Sequence, residues 1–362
     1  MPTARISPMD SYRNLPDWPR AHGGAVVHGQ IRVRNSDFEV SEDLGFEFSG
    51  AGEHDFLRVR KDGANTQWVA DRLAQHAGVR ATDVGFAGLK DRHALTTQWF
   101  SVPAPARKSA DWGAFSAPGV EILEKHRHDR KLRRGAHRGN QFRLCLRADK
   151  IDHEVVAAQL QRIGQLGVPN YFGEQRFGRM AGNLDSALEL FSGKRLKRRV
   201  KGMALSAARS FLFNEILGER VRNQTWDRLL PGDCASLAGS ASFFAVAEPD
   251  AALLKRCREF DIHPSAALWG RGQPATAGDV TVLEASVCER HASLAAGLEE
   301  HGLTQGRRAT RLMPVGLQWE FVDDGVWLNF YLESGAFATA VLRELADFAD
   351  AMAEIQRPRN ST

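Results

Sequence analysis

The sequence predicts an α+β protein in which strand-rich segments open and close the chain and a helix-rich segment lies between them. Residues 31–146 contain short runs with the two-residue alternation of strands. From about residue 151, apolar residues recur at the 3.6-residue spacing of helices. Strand-like runs return near residue 317, so a domain inserted into a mainly antiparallel sheet domain explains the order of elements.

The first segment predicts a helix among several strands. Thr66 can cap a helix whose apolar residues follow a helical period, and Gly78 provides its stop. Alternating or apolar runs bounded by small and polar residues predict the strands. These runs are residues 31–33, 38–40, 54–60, 84–87, 98–102, 120–123 and 142–146.

The remaining elements are helices followed by a hairpin. Helical spacing covers residues 151–163, 184–191 and 205–221. Two strand-like runs, residues 317–322 and 326–331, are separated by the turn residues 323–325, Asp-Asp-Gly, which are typical of a hairpin. A helix over residues 337–349 is expected to close the chain.

Length and composition describe a folded chain of about two domains. The chain has 362 residues, and a domain averages roughly 150. Its four cysteines show no C-x-x-C spacing, so we expect reduced, buried thiols. The N-terminus lacks the apolar core of a signal peptide, and no run of eighteen apolar residues occurs. We therefore expect a cytoplasmic protein without a membrane partner.

The net charge of +4 conceals two basic segments. Residues 121–150 carry a net charge of +6 and residues 191–210 carry +7, which leaves −9 for the rest of the chain. Concentrated Lys and Arg residues suit a phosphate backbone, although each segment alone could be a solvated face. Two such segments in one chain favour nucleic-acid binding, and the candidate residues are Lys131, Arg133, Arg134, Arg195, Arg198 and Arg199.

Several common chemistries lack their signatures. The sequence contains no P-loop, dinucleotide, nucleophile-elbow or H-E-x-x-H motif, so no nucleotide cofactor is expected. His126, His128 and His137 lie close together in sequence, but arginines surround them and no thiol or carboxylate cluster accompanies them. We therefore expect no metal site.

Asp91 is the candidate catalytic residue. It lies in residues 86–98, FAGLKDRHALTTQ, just after a predicted strand and between Lys90 and Arg92. These cations would favour its ionised form and attract an anionic substrate. By pattern alone, an aspartate in such a loop is more often part of a turn.

This segment closely resembles the central motif of the TruD family of tRNA pseudouridine synthases. Further segments agree in family order: residues 37–43 (DFEVSED), 131–135 (KLRRG), 139–142 (GNQF), 170–178 (NYFGEQRFG), 206–210 (SAARS), 213–214 (FN) and 335–339 (GAFAT). The resemblance implies isomerisation of uridine 13 of tRNA to pseudouridine. It implies tRNA as the partner and no redox cofactor, nucleotide or metal.

The resemblance also assigns roles to individual residues. Asp91 matches the catalytic aspartate, and the base-holding positions are Phe38, Asn140 and Phe337, with Phe142 as a plausible neighbour. Arg32, the remaining substrate-binding candidate, stands where the family has a lysine in the predicted first strand, and it would keep a role in positioning phosphate but not the lysine's point-donor geometry. By periodicity alone the phenylalanines are more often core residues, and Asn140 could belong to a turn.

The resemblance further implies a catalytic domain at residues 1–165 and 312–362, interrupted by a family-specific α/β domain at residues 166–311. Residues 170–178 could form an RNA-facing loop or a tight junction between domains, and their composition slightly favours the junction. A non-catalytic RNA-binding protein remains the main alternative. An RNA methyltransferase is disfavoured, because no Gly-rich loop is available for its cofactor.

Overall fold

The computed structural model describes residue 12 and residues 14–104 and 109–352. The chain divides into two compact units. Unit 1 comprises Met1–Gly24, Gln165–Met313 and Ala336–Glu344. Unit 2 comprises Ala25–Gly164, Pro314–Gly335 and Leu345–Thr362.

Helices and strands alternate irregularly along the described chain. The strands are β1 (Val27–Ile31), β2 (Phe38–Asp43), β3 (His54–Asp62), β4 (Gly85–Phe86), β5 (Leu95–Pro103), β6 (Val120–His128), β7 (Gly139–Arg147), β8 (Val168–Pro169), β9 (Asp233–Leu237), β10 (Phe243–Val246), β11 (Ile262–Leu268), β12 (Gly306–Ala309), β13 (Arg311–Leu312), β14 (Val315–Val322), β15 (Gly325–Glu333) and β16 (Ala346–Asp350). The helices are α1 (Thr66–Ala77), α2 (His153–Leu166), α3 (Gly182–Phe191), α4 (Arg198–Arg222), α5 (Ala251–Arg258), α6 (Gly278–Arg290), α7 (Ala292–Glu300) and α8 (Ala338–Arg343).

Unit 2 is organised around a large sheet with the strand order β14-β15-β7-β2-β5-β3-β6, to which β1, β16 and β4 are also paired. The pairs β1–β16 and β2–β5 are parallel, whereas the other pairs in this sheet are antiparallel. The predicted α+β class with a mainly antiparallel sheet is thus confirmed.

Helix α1 covers one face of this sheet. Its residues Val69, Ala70, Leu73 and Ala74 are buried against the apolar side chains of β3 and β5. The helix ends as predicted, with Gly78 in the left-handed conformation. Its cap lies one residue before the predicted Thr66, because the Asn65 side chain accepts a hydrogen bond from the backbone of Gln67.

Unit 1 has its core around α4, whose apolar face includes Phe211, Phe213, Ile216 and Leu217. Helices α3, α6 and α7 pack against α4. A sheet with the order β10-β9-β11-β12 and the short pair β8–β13 complete the unit. The helical segments predicted at residues 184–191 and 205–221 correspond to α3 and to the second half of α4.

Two predicted elements are wrong in part. The closing helix was expected over residues 337–349, but α8 stops at Arg343 and β16 follows as a strand parallel to β1. Similarly, β1 ends at Ile31, and Arg32 has a left-handed backbone with φ 57° rather than an extended one. In both cases the local sequence pattern predicted the wrong structure, because contacts between residues more than 300 positions apart determine it.

The predicted hairpin is confirmed, with β14 and β15 joined at the pair Val322 and Gly325. All four cysteines are buried and form no disulfide. None of the helices in the described part of the chain combines the length and hydrophobicity that crossing a bilayer requires.

Phe330 in β15 tests how strongly unit 2 depends on the packing of its sheet. The ring is fully buried and stacks on Phe142 with 5.7 Å between centroids. We expect Phe330→Ala to lower the free energy of unfolding by about 3–5 kcal/mol through the cavity it leaves. Urea denaturation measures this change. As a control, Phe243→Ala removes a ring that is 41% exposed, and equal losses in the two variants would contradict the assignment.

Candidate active site

Asp91 lies in a loop, residues 87–94, that connects β4 to β5, and neighbouring polar groups hold this Asp91 loop in place. The Lys90 backbone N–H donates to Thr66 Oγ1 at 3.0 Å. Gln98 Nε2 donates to the carbonyl of Gly88 at 3.2 Å, and Thr66 Oγ1 in turn donates to Gln98 Oε1 at 2.8 Å. Helix α1 and strand β5 therefore fix the loop through one buried network.

Arg32 connects the Asp91 carboxylate to a second acid. Its Nη2 lies 2.8 Å from Asp91 Oδ2, and its Nη1 lies 2.8 Å from Asp350 Oδ2. The guanidinium is mostly buried and lies over the Phe38 ring, 4.2 Å from its centroid. The Asp91 side chain is 48% exposed, and its Oδ1 accepts no hydrogen bond from a described residue. One carboxylate oxygen is thus held and the other is available.

Lys61 contacts the same loop from inside the unit. Its side chain is completely buried, and Nζ donates to the carbonyl of Asp91 at 3.0 Å and to that of Ala64 at 2.8 Å. Burial lowers the pKa of Lys61 to about 8, an effect that the Asp91 carboxylate opposes and the Lys90 ammonium reinforces. The buried Lys61 ammonium therefore contacts the Asp91 backbone from the interior of the unit.

Glu42 and Lys90 form a second buried charge pair beside the loop. Their side chains are 0% and 8% exposed, and Lys90 Nζ lies 2.8 Å from Glu42 Oε2. Glu42 Oε1 also accepts from the backbone N–H of Trp99 at 3.1 Å. Such a pair fixes geometry well, because breaking it would leave an uncompensated buried charge.

Sequence reasoning missed Lys61, Glu42 and Asp350. A signal for two of them was present, because Lys61 continues the buried alternation of Leu57 and Val59 on β3, as Glu42 continues that of β2. A charged residue at an inward strand position indicates a buried partner. Asp350 carried no such signal, because its strand was expected to be a helix.

The aromatic candidates Phe38 and Phe142 pack against each other in unit 2. Phe38 is buried at the start of β2 and meets Phe142 of β7 edge to face, with 6.4 Å between centroids. Asn140 lies on β7 two residues before Phe142, and its side-chain Oδ1 is buried without a hydrogen-bond partner. Arg32, Phe38, Phe142 and Asp91 therefore form one chain of contacts, and Asn140 lies on its strand.

Phe337, the remaining aromatic candidate, belongs to unit 1. It is half-buried immediately before α8, and its ring meets the Phe172 ring with 5.9 Å between centroids. The guanidinium of Arg176 lies 5.5 Å from the centre of the Phe337 ring.

The six predicted RNA-binding residues are all exposed. Lys131, Arg133 and Arg134 lie between β6 and β7 in unit 2, and Arg134 covers the ring of Phe86. Arg195, Arg198 and Arg199 lie just before and within the first turn of α4 in unit 1, and they form no ion pair with a described residue. These cations are therefore free to meet a polyanion.

The three histidines considered as metal ligands make other contacts. His126 stacks on Phe48 with 4.4 Å between centroids, and His128 stacks on Phe46. Burial and the Lys90 charge lower the pKa of His137. The described residues contain no group of three His, Cys, Asp or Glu side chains placed to hold a metal ion.

Lys61 makes the stability of this unit depend on pH. Because its folded pKa of about 8 lies below its ordinary value of 10.5, the unfolded chain binds more protons between those values. Its contribution to stability therefore rises with pH in this range, by at most about 1.4 kcal/mol per pH unit. We expect Lys61→Met to remove this rise, as urea denaturation at pH 7.5 to 10 would measure.

The exposed Lys150 provides the matched control for that substitution. Lys150→Met makes the same chemical change without a buried charge, so its curve of stability against pH should run parallel to that of the unsubstituted protein. If the Lys61→Met curve is parallel as well, burial of the Lys61 ammonium does not lower the stability of the folded protein.

Comparison with known proteins identifies the family. The family model described as tRNA pseudouridine synthase D (TruD) matches residues 21–187 and 182–345. The tRNA pseudouridine synthase D of Methylococcus capsulatus is 46% identical over 335 residues, covering 92% of this chain and 95% of the relative. The enzyme of the same name from Nitrosococcus oceani is 47% identical over 341 residues, with the same shares covered.

A solved structure agrees at the level of fold. The crystal structure of a Methanosarcina mazei protein assigned as a tRNA pseudouridine synthase D superposes with a TM-score of 0.73 at 20% identity. The match covers 94% of this chain and 98% of that chain. Taken with the family match and the identities above, these findings show that the chain belongs to the tRNA pseudouridine synthase D (TruD) family of isomerases.

Proposed function

We propose that this chain converts uridine 13 of tRNA to pseudouridine and that Asp91 is its catalytic residue. One observation carries the proposal: a half-exposed carboxylate, ion-paired through Oδ2 and open at Oδ1, lies on a loop fixed by buried charges. The motif around Asp91 and the family membership of the chain support the choice of substrate.

The proposed reaction breaks and re-forms a bond at a ribose carbon, and a carboxylate next to that carbon can assist it. The N-glycosidic bond of the uridine breaks, the base turns, and a new bond forms between the same ribose carbon and a carbon of the base. No atom is gained or lost overall. An ionised carboxylate can attack C1′ as a nucleophile, or stabilise the positive charge that develops there and later move a proton. The Arg32 contact holds one oxygen of the Asp91 carboxylate in place and leaves the other open for either role.

The neighbouring side chains suit a base that has left its stack. Phe38 and Phe142 are buried rings in the chain of contacts that leads from Asp91 through Arg32, and the unpartnered amide oxygen of Asn140 can accept the N–H of uracil. We assign these three residues and Phe337 to base binding. Arg32 we assign to holding Asp91, because its two terminal nitrogens each contact a different carboxylate.

We also propose that the catalytic domain comprises residues 1–165 and 312–362, with an inserted domain at residues 166–311. The unit boundaries after Gly164 and after Met313 support the two ends of this insertion, whereas Met1–Gly24 and Ala336–Glu344 group with the inserted residues. The exposed basic residues of both segments, Lys131 to Arg134 and Arg195 to Arg199, would contact the tRNA backbone, because each neutralised phosphate releases counterions.

Asp91→Asn tests the catalytic assignment. The substitution keeps the shape of the side chain and removes its charge, so we expect pseudouridine formation at position 13 to fall by at least about 100-fold. Affinity for tRNA should change little. Pseudouridine mapping of tRNA incubated with each variant, together with a binding titration, measures both quantities.

Asp323→Asn is the matched control, because Asp323 is exposed in the β14–β15 turn and the chemical change is identical. Turnover in Asp91→Asn equal to that of this control would remove Asp91 from the mechanism. Tight tRNA binding by the unsubstituted protein without any pseudouridine would favour the alternative function, a non-catalytic RNA-binding protein.

The salt dependence of tRNA binding tests the role of the basic residues before and within α4. Replacing Arg195, Arg198 and Arg199 by Gln should weaken tRNA binding and reduce the slope of log affinity against log salt by up to about 3. The control replaces Lys255, Arg256 and Arg258 of α5, which carry the same charge and lie on the same unit. An unchanged slope in the α4 variant would show that these arginines do not meet the RNA.

A further inference from the structure

Three of the segments that resemble the family meet in unit 1, around a side chain to which no role has been given. Arg176 belongs to residues 170–178, and its Nη1 donates to Ser206 Oγ at 3.1 Å. Its guanidinium lies 5.5 Å from the centre of the Phe337 ring and 5.3 Å from that of the Phe172 ring. We call Arg176, Arg308, Thr339, Phe172 and Phe337 the Arg176 cluster.

Arg176 is a partly buried cation without a matching anion. It forms no ion pair with a described residue, its Nε is buried without a hydrogen-bond partner, and Nη2 makes no hydrogen bond to a described residue. Burial lowers its pKa. The Nε and Nη2 edge is the one with which arginine binds carboxylates and phosphates through two parallel hydrogen bonds.

A second arginine raises the positive potential of this cluster. Arg308 lies over the Phe172 ring, 4.2 Å from its centroid, and donates to Asn170 Oδ1 at 2.6 Å. Burial and the charge of Arg176 together lower the pKa of Arg308 to about 9. Two neighbouring cations that oppose each other's charge favour the binding of an anion nearby.

Thr339 provides an independent observation. Its Oγ1 is buried and has no hydrogen-bond partner, although a threonine hydroxyl can both donate and accept. It faces Gly173, where a methyl group would lie 2.7 Å from this oxygen. The Arg176 backbone N–H donates to the Gly173 carbonyl at 2.9 Å, so the glycine that the unsatisfied hydroxyl faces is bonded to the backbone of Arg176.

The backbone of the cluster is rigidly held, so the unsatisfied groups do not reflect a loose loop. Asn214 of α4 is fully buried, and its side-chain amide bonds both the N–H and the carbonyl of Phe172, at 2.9 and 3.0 Å. Unmet hydrogen-bonding groups on a fixed scaffold are typical of ligand sites.

We infer that the Arg176 cluster binds a backbone phosphate of the RNA substrate, with Arg176 and Thr339 as its direct ligands and Arg308 supplying a second positive charge. A phosphodiester offers two acceptor oxygens and one negative charge, which match these donors. This inference rests on the proposed function only in that the ligand is RNA.

Arg176→Gln and Thr339→Val test the inference in the full-length protein by titration with tRNA at several salt concentrations. We expect each variant to bind about 10-fold more weakly or worse. Arg176→Gln should also reduce the salt slope by about 0.7–0.9, the value for one phosphate contact. The exposed Arg179 lies on the same segment and forms no ion pair with a described residue, so Arg179→Gln is the matched control.

Thermal unfolding distinguishes a side chain that binds the ligand from one that stabilises the fold. Thr339→Val keeps the shape of the side chain and removes an unsatisfied hydroxyl, so its Tm should stay the same or rise. Arg176→Gln removes a partly buried like charge, and its Tm should not fall. Weaker binding without loss of stability supports the inference, whereas weaker binding that accompanies a lower Tm in both variants overturns it.

The remaining outcomes are equally decisive. Unchanged affinity and salt slope in both variants, or an equal loss in Arg179→Gln, overturns the phosphate site. Failure of the proposed function would look different, because the unsubstituted protein would then bind tRNA and respond to these substitutions without forming pseudouridine. A chain that bound no tRNA at all would overturn both.

Discussion

The candidate site depends on two buried or mostly buried cations that bond the backbone and the side chain of one aspartate. The buried ammonium of Lys61 bonds the backbone of Asp91, and the mostly buried guanidinium of Arg32 bonds its side chain. In a low dielectric these charges act more strongly than at a surface, and they disfavour any arrangement that moves the carboxylate away. The position of Asp91 therefore depends on these two cations.

The sheet of unit 2 brings these groups together because it joins distant parts of the chain. Lys61 lies on β3, whereas Asp91 lies before β5, and the two strands pair antiparallel along nine residues. Arg32 follows β1, whose parallel partner β16 ends at Asp350. Because the parallel strands β1 and β16 end at the same edge of the sheet, Arg32 and Asp350 lie close enough to form an ion pair.

Local pattern was sufficient for elements whose determinants are close in sequence. Helix α1 has its own cap and stop, and the β14–β15 hairpin is encoded by the Asp-Asp-Gly turn, so both could be predicted. Strand β16 could not, because residues 346–350 become a strand only through pairing with β1. The left-handed backbone of Arg32 likewise carries no local signal, and its side chain contacts two carboxylates at 2.8 Å that lie far away in sequence.

The residues of the candidate site were proposed from the sequence, whereas their arrangement could not be predicted from it. The motif pointed to Asp91, and Asn140 and the phenylalanines followed from resemblance, but no spacing reveals that Lys61 reaches the Asp91 carbonyl across the sheet. The polar atoms left unsatisfied are informative for the same reason. Asn140 Oδ1, Arg176 Nε and Thr339 Oγ1 are buried without partners on well-fixed backbone, and each such atom lowers stability. A ligand that supplied the missing hydrogen bonds would recover that stability on binding.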